Sequence, residues 1–268
     1  MSTAMSGSLD GTRMLVVGGS SGVGRAIGLA AANAGARVAF AGRRTELVEQ
    51  AAAEAGPDAL GLTCDVREPE QCERVVTETL ARFGGLDQLV LAVGVTYLAD
   101  VAETTAQQWQ NLTATNLIGP ALVTRAALAE LVAARGKVLF ISSTAVSRPW
   151  PGLVPYASVK AGVEKLALGL QDEYPEVGFS VVAIGPTYTG ILDGIDRTTV
   201  LDRFRRWREK GYVGRGQMSA DGLAEHLVAQ LASPMRLPYL MAVPTPPPPR
   251  AAPPEVSGSG GPVKEARR

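Results

Sequence analysis

Two cysteines and one histidine are all that this 268-residue chain carries, and their scarcity excludes much chemistry. Cys64 and Cys72 form no Cys-x-x-Cys step and no Cys/His cluster, so no metal site is expected. Two cysteines in a chain this long suit free thiols and an intracellular protein. The single histidine, His226, lies in a late Ala-Glu-His-Leu-Val stretch, and the chain has no Gly-x-Ser-x-Gly elbow. A Ser-His-Asp hydrolase would have to use His226, which reads instead as a surface or packing residue of a helix. Net charge is missing too. Lys+Arg and Asp+Glu both number 26, which argues against a nucleic-acid binder. The first residues show no basic segment followed by an apolar core, so no signal peptide is expected. No apolar run is expected to reach the roughly 18 residues that cross a bilayer. The expected location is cytoplasmic, with no membrane partner.

Hydrophobic residues make up 46% of the chain, enough for one large domain with a real core. Thirty glycines and many alanines suit close packing of helices on a sheet. Apolar strand patterns are expected at 13–17, 37–41, 59–63, 86–93, 138–141, 179–184 and 239–243. Helical patterns lie between them, including a long one at 106–134. This alternation implies a single α/β domain with a parallel sheet and helices on both faces. Ligands bind such a sheet at the carboxyl ends of its strands. Gly18, Arg43, Asp65, Gly94, Ser143 and Gly185 all fall at such ends.

The first strand runs into Gly18-Gly-Ser20-Ser21-Gly22-Val23-Gly24 and then an Ala-rich helix. Strand, glycine-rich turn and helix place a phosphate at a helix N-terminus. The glycines let the backbone approach a pyrophosphate closely. The second strand ends in Gly42-Arg43-Arg44, where an NAD site usually has an acid for the ribose 2′-hydroxyl. Guanidinium groups suit a phosphate by charge and fork geometry, so NADP(H) is expected rather than NAD(H). Read instead as solvated residues at a helix start, the two cations would oppose the helix dipole.

Ser143 closes the fifth strand, and Tyr156 and Lys160 open the helix after it. Positions four apart share a helical face. A cation beside a phenol lowers its pKa from about 10, which would make Tyr156 a general acid/base. Ser143 would hold a substrate oxygen. A Tyr/Lys pair also occurs on ordinary helices, so it counts only together with the rest.

Residues 190–218 form an insert containing Arg203, Arg205, Arg206 and Arg208. It reads as a lid over the site, a docking surface for an anionic substrate carrier, or a solvated helix face. Residues 1–10 read as a flexible leader. Residues 244–268 read as a proline-rich tail, disordered or partly polyproline II.

Over about residues 10–243 the chain resembles the classical short-chain dehydrogenases/reductases. The resemblance implies a Rossmann-like doubly wound sheet. It makes Gly18, Gly22 and Gly24 the cofactor turn, and Asp65-Val66 the adenine contact. Asn116, Ser143, Tyr156 and Lys160 match the catalytic set, with Asn116 holding a water in a proton relay. Gly185, Thr187 and Thr189 match the segment at the nicotinamide carboxamide. The implied function is hydride transfer between nicotinamide and a carbonyl or secondary alcohol, with a ketoreductase favoured. The substrate would be a small molecule, with a carrier- or CoA-linked one also open. Trp150, Tyr188 and Trp207 are possible apolar walls for it. Three departures stand out. Leu91-Ala-Val-Gly94 replaces the family's Asn-Asn-Ala-Gly, Ile184 replaces a proline before Gly185, and the usual C-terminal ending is absent. They leave open a non-catalytic NADP(H)-binding sensor or partner protein, and a homodimer rather than a tetramer.

Overall fold

The computed structural model describes residues 8–213 and 216–245. Seven strands form one parallel sheet: β1 (Arg13–Val17), β2 (Arg37–Gly42), β3 (Leu60–Thr63), β4 (Gln88–Leu91), β5 (Lys137–Ser143), β6 (Gly178–Ile184) and β7 (Tyr239–Ala242). Their order is β3-β2-β1-β4-β5-β6-β7. The chain therefore winds outward from β1 in one direction, returns to β4 on the other side, and winds outward again. Among the described residues, eight α-helices connect or flank the strands: α1 (Gly22–Asn33), α2 (Thr45–Ala55), α3 (Pro69–Phe83), α4 (Ala106–Thr113), α5 (Gly119–Ala134), α6 (Val154–Glu173), α7 (Arg197–Glu209) and α8 (Ala220–Ala232).

Successive strand residues face opposite sides of the sheet. In β1, Leu15 and Val17 join the layer made by α3, α5 and α6. Met14 and Val16 join the layer made by α1, α2 and α8. All four are fully buried, which is why these strands read as unbroken apolar runs rather than as alternating ones.

The structure corrects four expectations. Strand β4 ends at Leu91, short of the expected 86–93, because residues 92–95 leave the ladder to wall a cleft. The 106–134 helix is not uniform: a π-helical segment, Ala114–Ile118, separates α4 from α5. Within the whole helix, Ala106–Ala134, an 18-residue window reaches a mean hydropathy of 1.6, so the helix is long and apolar enough to cross a membrane by length and composition. The expectation that no segment would be is therefore wrong. In this fold its Val123, Ala127 and Leu131 are buried in the layer beside α3. Finally, Leu9 is buried, and its N–H donates to the Ala34 carbonyl at 2.8 Å, so the domain starts inside the expected leader. Residues 1–7 of that leader and 246–268 of the expected tail lie outside the described residues.

Candidate active site

The site grows from the point where the strand order reverses. There the end of β1 meets the segment leaving β4. Gly18 has φ +91°, and a Cβ on it would lie 2.6 Å from the Ala92 carbonyl carbon. Only glycine allows both that backbone and that approach. A Cβ on Gly24 would lie 2.3 Å from the Gly18 carbonyl oxygen. These contacts fold the turn tightly over the end of β1 and open a cleft of about 450 Å³ above it.

Most of the expected cofactor residues line this cleft: Gly18, Ser20, Ser21, Gly22, Val23, Arg43, Arg44, Asp65, Val66, Gly94, Tyr156, Lys160 and Thr189. Gly24 does not; it is spent on packing the turn. Gly185 and Thr187 line a neighbouring cavity instead. Arg44 reaches from the end of β2 to the turn, where it donates to Ser21 Oγ at 2.6 Å and Ser20 Oγ at 3.0 Å. No carboxylate stands at the end of β2. Asp65, at the end of β3, is gripped by Arg67 at 2.5 Å. That hydrogen bond holds its carboxyl below the usual carboxylate range.

Tyr156 stands where the two cavities meet and lines both. Burial pushes its phenol up to about 12, partly offset by a hydrogen bond with Ser143. The expectation that Lys160 depresses the tyrosine is corrected. The Lys160 ammonium turns into the sheet, donating to the Ile141 carbonyl at 2.8 Å and toward the Val93 carbonyl at 3.4 Å. Burial pushes Lys160 down to about 8, against a smaller upward pull from Glu164.

The second cavity holds about 210 Å³ and opens beside Ser143 and Tyr156. Helix α7 closes it. Trp207 packs against Trp150 and Phe204 with ring centroids 5.1 and 5.0 Å apart. Its indole N–H donates to the Pro151 carbonyl at 2.9 Å. Arg203 ties the same helix to Asp100 at 2.9 Å. The buried face of the insert therefore covers the site. Arg205 and Arg206 lie on its exposed side and pair with Asp202.

A family model described as short chain dehydrogenase matches residues 12–197. The chain belongs to the short-chain dehydrogenase family. A sorbitol dehydrogenase of Cereibacter sphaeroides is 33% identical over 69% of this chain and 72% of its own length. A short chain dehydrogenase of Pseudocercospora fijiensis is 34% identical over 67% of this chain, which spans 60% of that relative. A solved alcohol dehydrogenase from the archaeon Thermococcus sibiricus, complexed with 5-hydroxy-NADP, superposes with a TM-score of 0.75 at 26% identity. That match covers 86% of this chain and 95% of the other.

This short-chain dehydrogenase uses Asn116 in a way the sequence does not show. The residue is fully buried in the π-helical segment. Its Oδ1 accepts from the Val95 N–H at 2.8 Å, and its Nδ2 donates to the Val95 carbonyl at 2.9 Å. Both ends of the amide thus bond one residue's backbone. Asn116 pins the cleft wall that replaces the end of β4. Asn116→Leu is expected to cost about 1–3 kcal/mol for each backbone group left unpaired, read as a lowered thermal midpoint.

Other lining residues gave no local signal. Ile191 and Asp193 reach the first cleft because the loop after β6 folds back over it. Thr96 lines both cavities, and its buried hydroxyl has no partner among the described residues. Phe204 stands three residues before Trp207 on α7, a spacing that pairs residues on one helical face. Among the described residues, no group of His, Cys, Asp and Glu could hold a metal ion.

Proposed function

We propose that this protein is an NADP(H)-dependent carbonyl reductase in which Tyr156 is the general acid. The observation that carries this reading is the position of Tyr156, with Ser143 lining the same cavity, at the junction of the turn-lined cleft and the apolar cavity. The first cleft suits a dinucleotide, with its glycine turn at a helix N-terminus and two arginines at the end of β2. When bound, the nicotinamide supplies the hydride. Ser143 holds the carbonyl oxygen in the second cavity. The Tyr156 hydroxyl gives its proton to that oxygen as negative charge develops there. A phenol with a pKa of about 12 is fully protonated at neutral pH, which favours reduction. Lys160 places a cation in the wall of the first cleft and bonds the carbonyls of Ile141 and Val93 beneath it.

The preference for NADP(H) rests on Arg43 and Arg44. Arg44 also braces the turn, so Arg43→Ala is the cleaner probe. Hydrogen bonds to charged groups contribute about 1.5–3 kcal/mol, so NADPH affinity is expected to fall about tenfold or more, with NADH affinity unchanged. Calorimetric titration of both cofactors checks this. Tighter binding of NADH by the unaltered protein would overturn it. A homodimer through the long helices accompanies this reading, since Ile118 and Leu168 are each 48% exposed there. Light scattering after size exclusion tests it.

A further inference from the structure

We propose that the substrate is an uncharged, largely apolar ketone bearing a ring, rather than a polyol or an anionic carrier-linked acyl group. This rests on the carbonyl-reductase reading above and specifies what the second cavity takes. Among the described residues, none that lines that cavity is Asp, Glu, Lys, Arg or His. A charge buried there would lack a partner, at high cost. Arg203, on the helix that closes it, is already paired with Asp100 at 2.9 Å. A polyol fares little better. It needs a hydrogen-bonding partner for each hydroxyl, and an unpaired buried one costs about 1–3 kcal/mol. The Thr187 hydroxyl is committed to the Gly185 carbonyl at 2.9 Å, and the Trp207 N–H to Pro151; the buried Thr96 hydroxyl, without a partner among the described residues, can serve only one of a polyol's several hydroxyls.

What the cavity offers is a wall of rings. Trp150 and Phe204 tilt against Trp207 at 56° and 59°. Tilted contacts of this kind are the ones aromatic groups favour. Trp207 is 2% exposed and held at its nitrogen, so the wall is rigid before ligand arrives. At about 210 Å³ the cavity lies below the range of roughly 300–1,000 Å³ usual for drug-sized ligands, which suits a group of one or two rings. Its polar end is Ser143 and Tyr156, where the carbonyl would be read.

The test compares three probes: 1-tetralone with NADPH, sorbitol with NADP+, and the acetoacetyl thioester of N-acetylcysteamine with NADPH. The kcat/KM for 1-tetralone is expected to exceed the other two by at least about tenfold, the discrimination of a hydrophobic pocket. Phe204→Ala should raise the KM for 1-tetralone more than it lowers kcat, and Phe204→Leu should restore most of the loss. Saturable quenching of tryptophan fluorescence by 1-tetralone reports binding independently of turnover. Faster turnover of sorbitol or the thioester would overturn the substrate class and leave the reductase reading intact. Saturable quenching with no reduction of any carbonyl compound would leave the ligand class standing and overturn the reductase reading. The absence of both quenching and turnover with 1-tetralone would overturn the proposal.

Discussion

Tyr156→Phe is expected to lower carbonyl reduction by about 10²–10⁴-fold, the usual contribution of a placed acid or base, while NADPH binds as before. The variant removes one oxygen from a buried ring and leaves the packing of α6 in place. The phenol is the one titratable group lining both cavities; Lys160 lines only the first and faces the carbonyls beneath it. Burial raises the tyrosine to about 12, so near pH 7 it is a donor and hardly ever a base. Reduction should therefore be nearly flat through neutral pH, whereas oxidation of the alcohol should climb as pH rises toward the phenol's pKa. Stopped-flow turnover with each cofactor form, in wild type and variant, separates the two directions. Unchanged turnover in the variant would remove Tyr156 from its role. A wild type that binds NADPH tightly but reduces no carbonyl would favour a non-catalytic sensor.

The parts of this molecule legible in its sequence are those set by local rules. Gly18 and Gly22 announced the turn because backbone conformation there leaves few alternatives. Arg43 and Arg44 could be placed in the cleft because the end of β2 follows directly from the strand pattern. The parallel sheet was legible because both of its faces are buried, which makes each strand a short apolar run. What escaped depends on chain returning from afar. Asn116 read as a chemical residue, yet its amide is matched to the backbone of a residue 21 positions earlier. Thr96 and Ile191 enter the site through loops whose paths no local pattern fixes. The environment of Tyr156 escaped for a related reason. Four-residue spacing places Lys160 on its helical face, but it cannot say that the ammonium is turned to Ile141, leaving burial to dominate the phenol.

Lys160→Met should make the empty protein more stable. Lys160 is 3% exposed, and burial lowers its pKa to about 8 from about 10.4 in an unfolded chain. A tenfold change in proton affinity corresponds to about 1.4 kcal/mol, so the folded protein disfavours the ammonium by about 3 kcal/mol at neutral pH. Between about pH 8 and about pH 10.4 the unfolded chain binds more protons at this site than the folded one. Stability from this group therefore rises with pH across that window. Above it, Tyr156 acts in the opposite sense: its raised pKa means stability is lost as pH climbs from about 10 toward 12. A methionine of similar length removes the buried charge and can pack in its place. The expected gain is about 1–3 kcal/mol at pH 7, or roughly 2–4 °C in thermal midpoint per kcal/mol for a domain of this size. The wild-type rise between about pH 8 and pH 10 should vanish in the variant. Denaturation at about pH 7 and about pH 9.5, on either side of the lysine's titration, measures both. A less stable variant at pH 7 would mean that the carbonyl bonds outweigh desolvation, and that the cation is held for the fold rather than kept at a cost for the site.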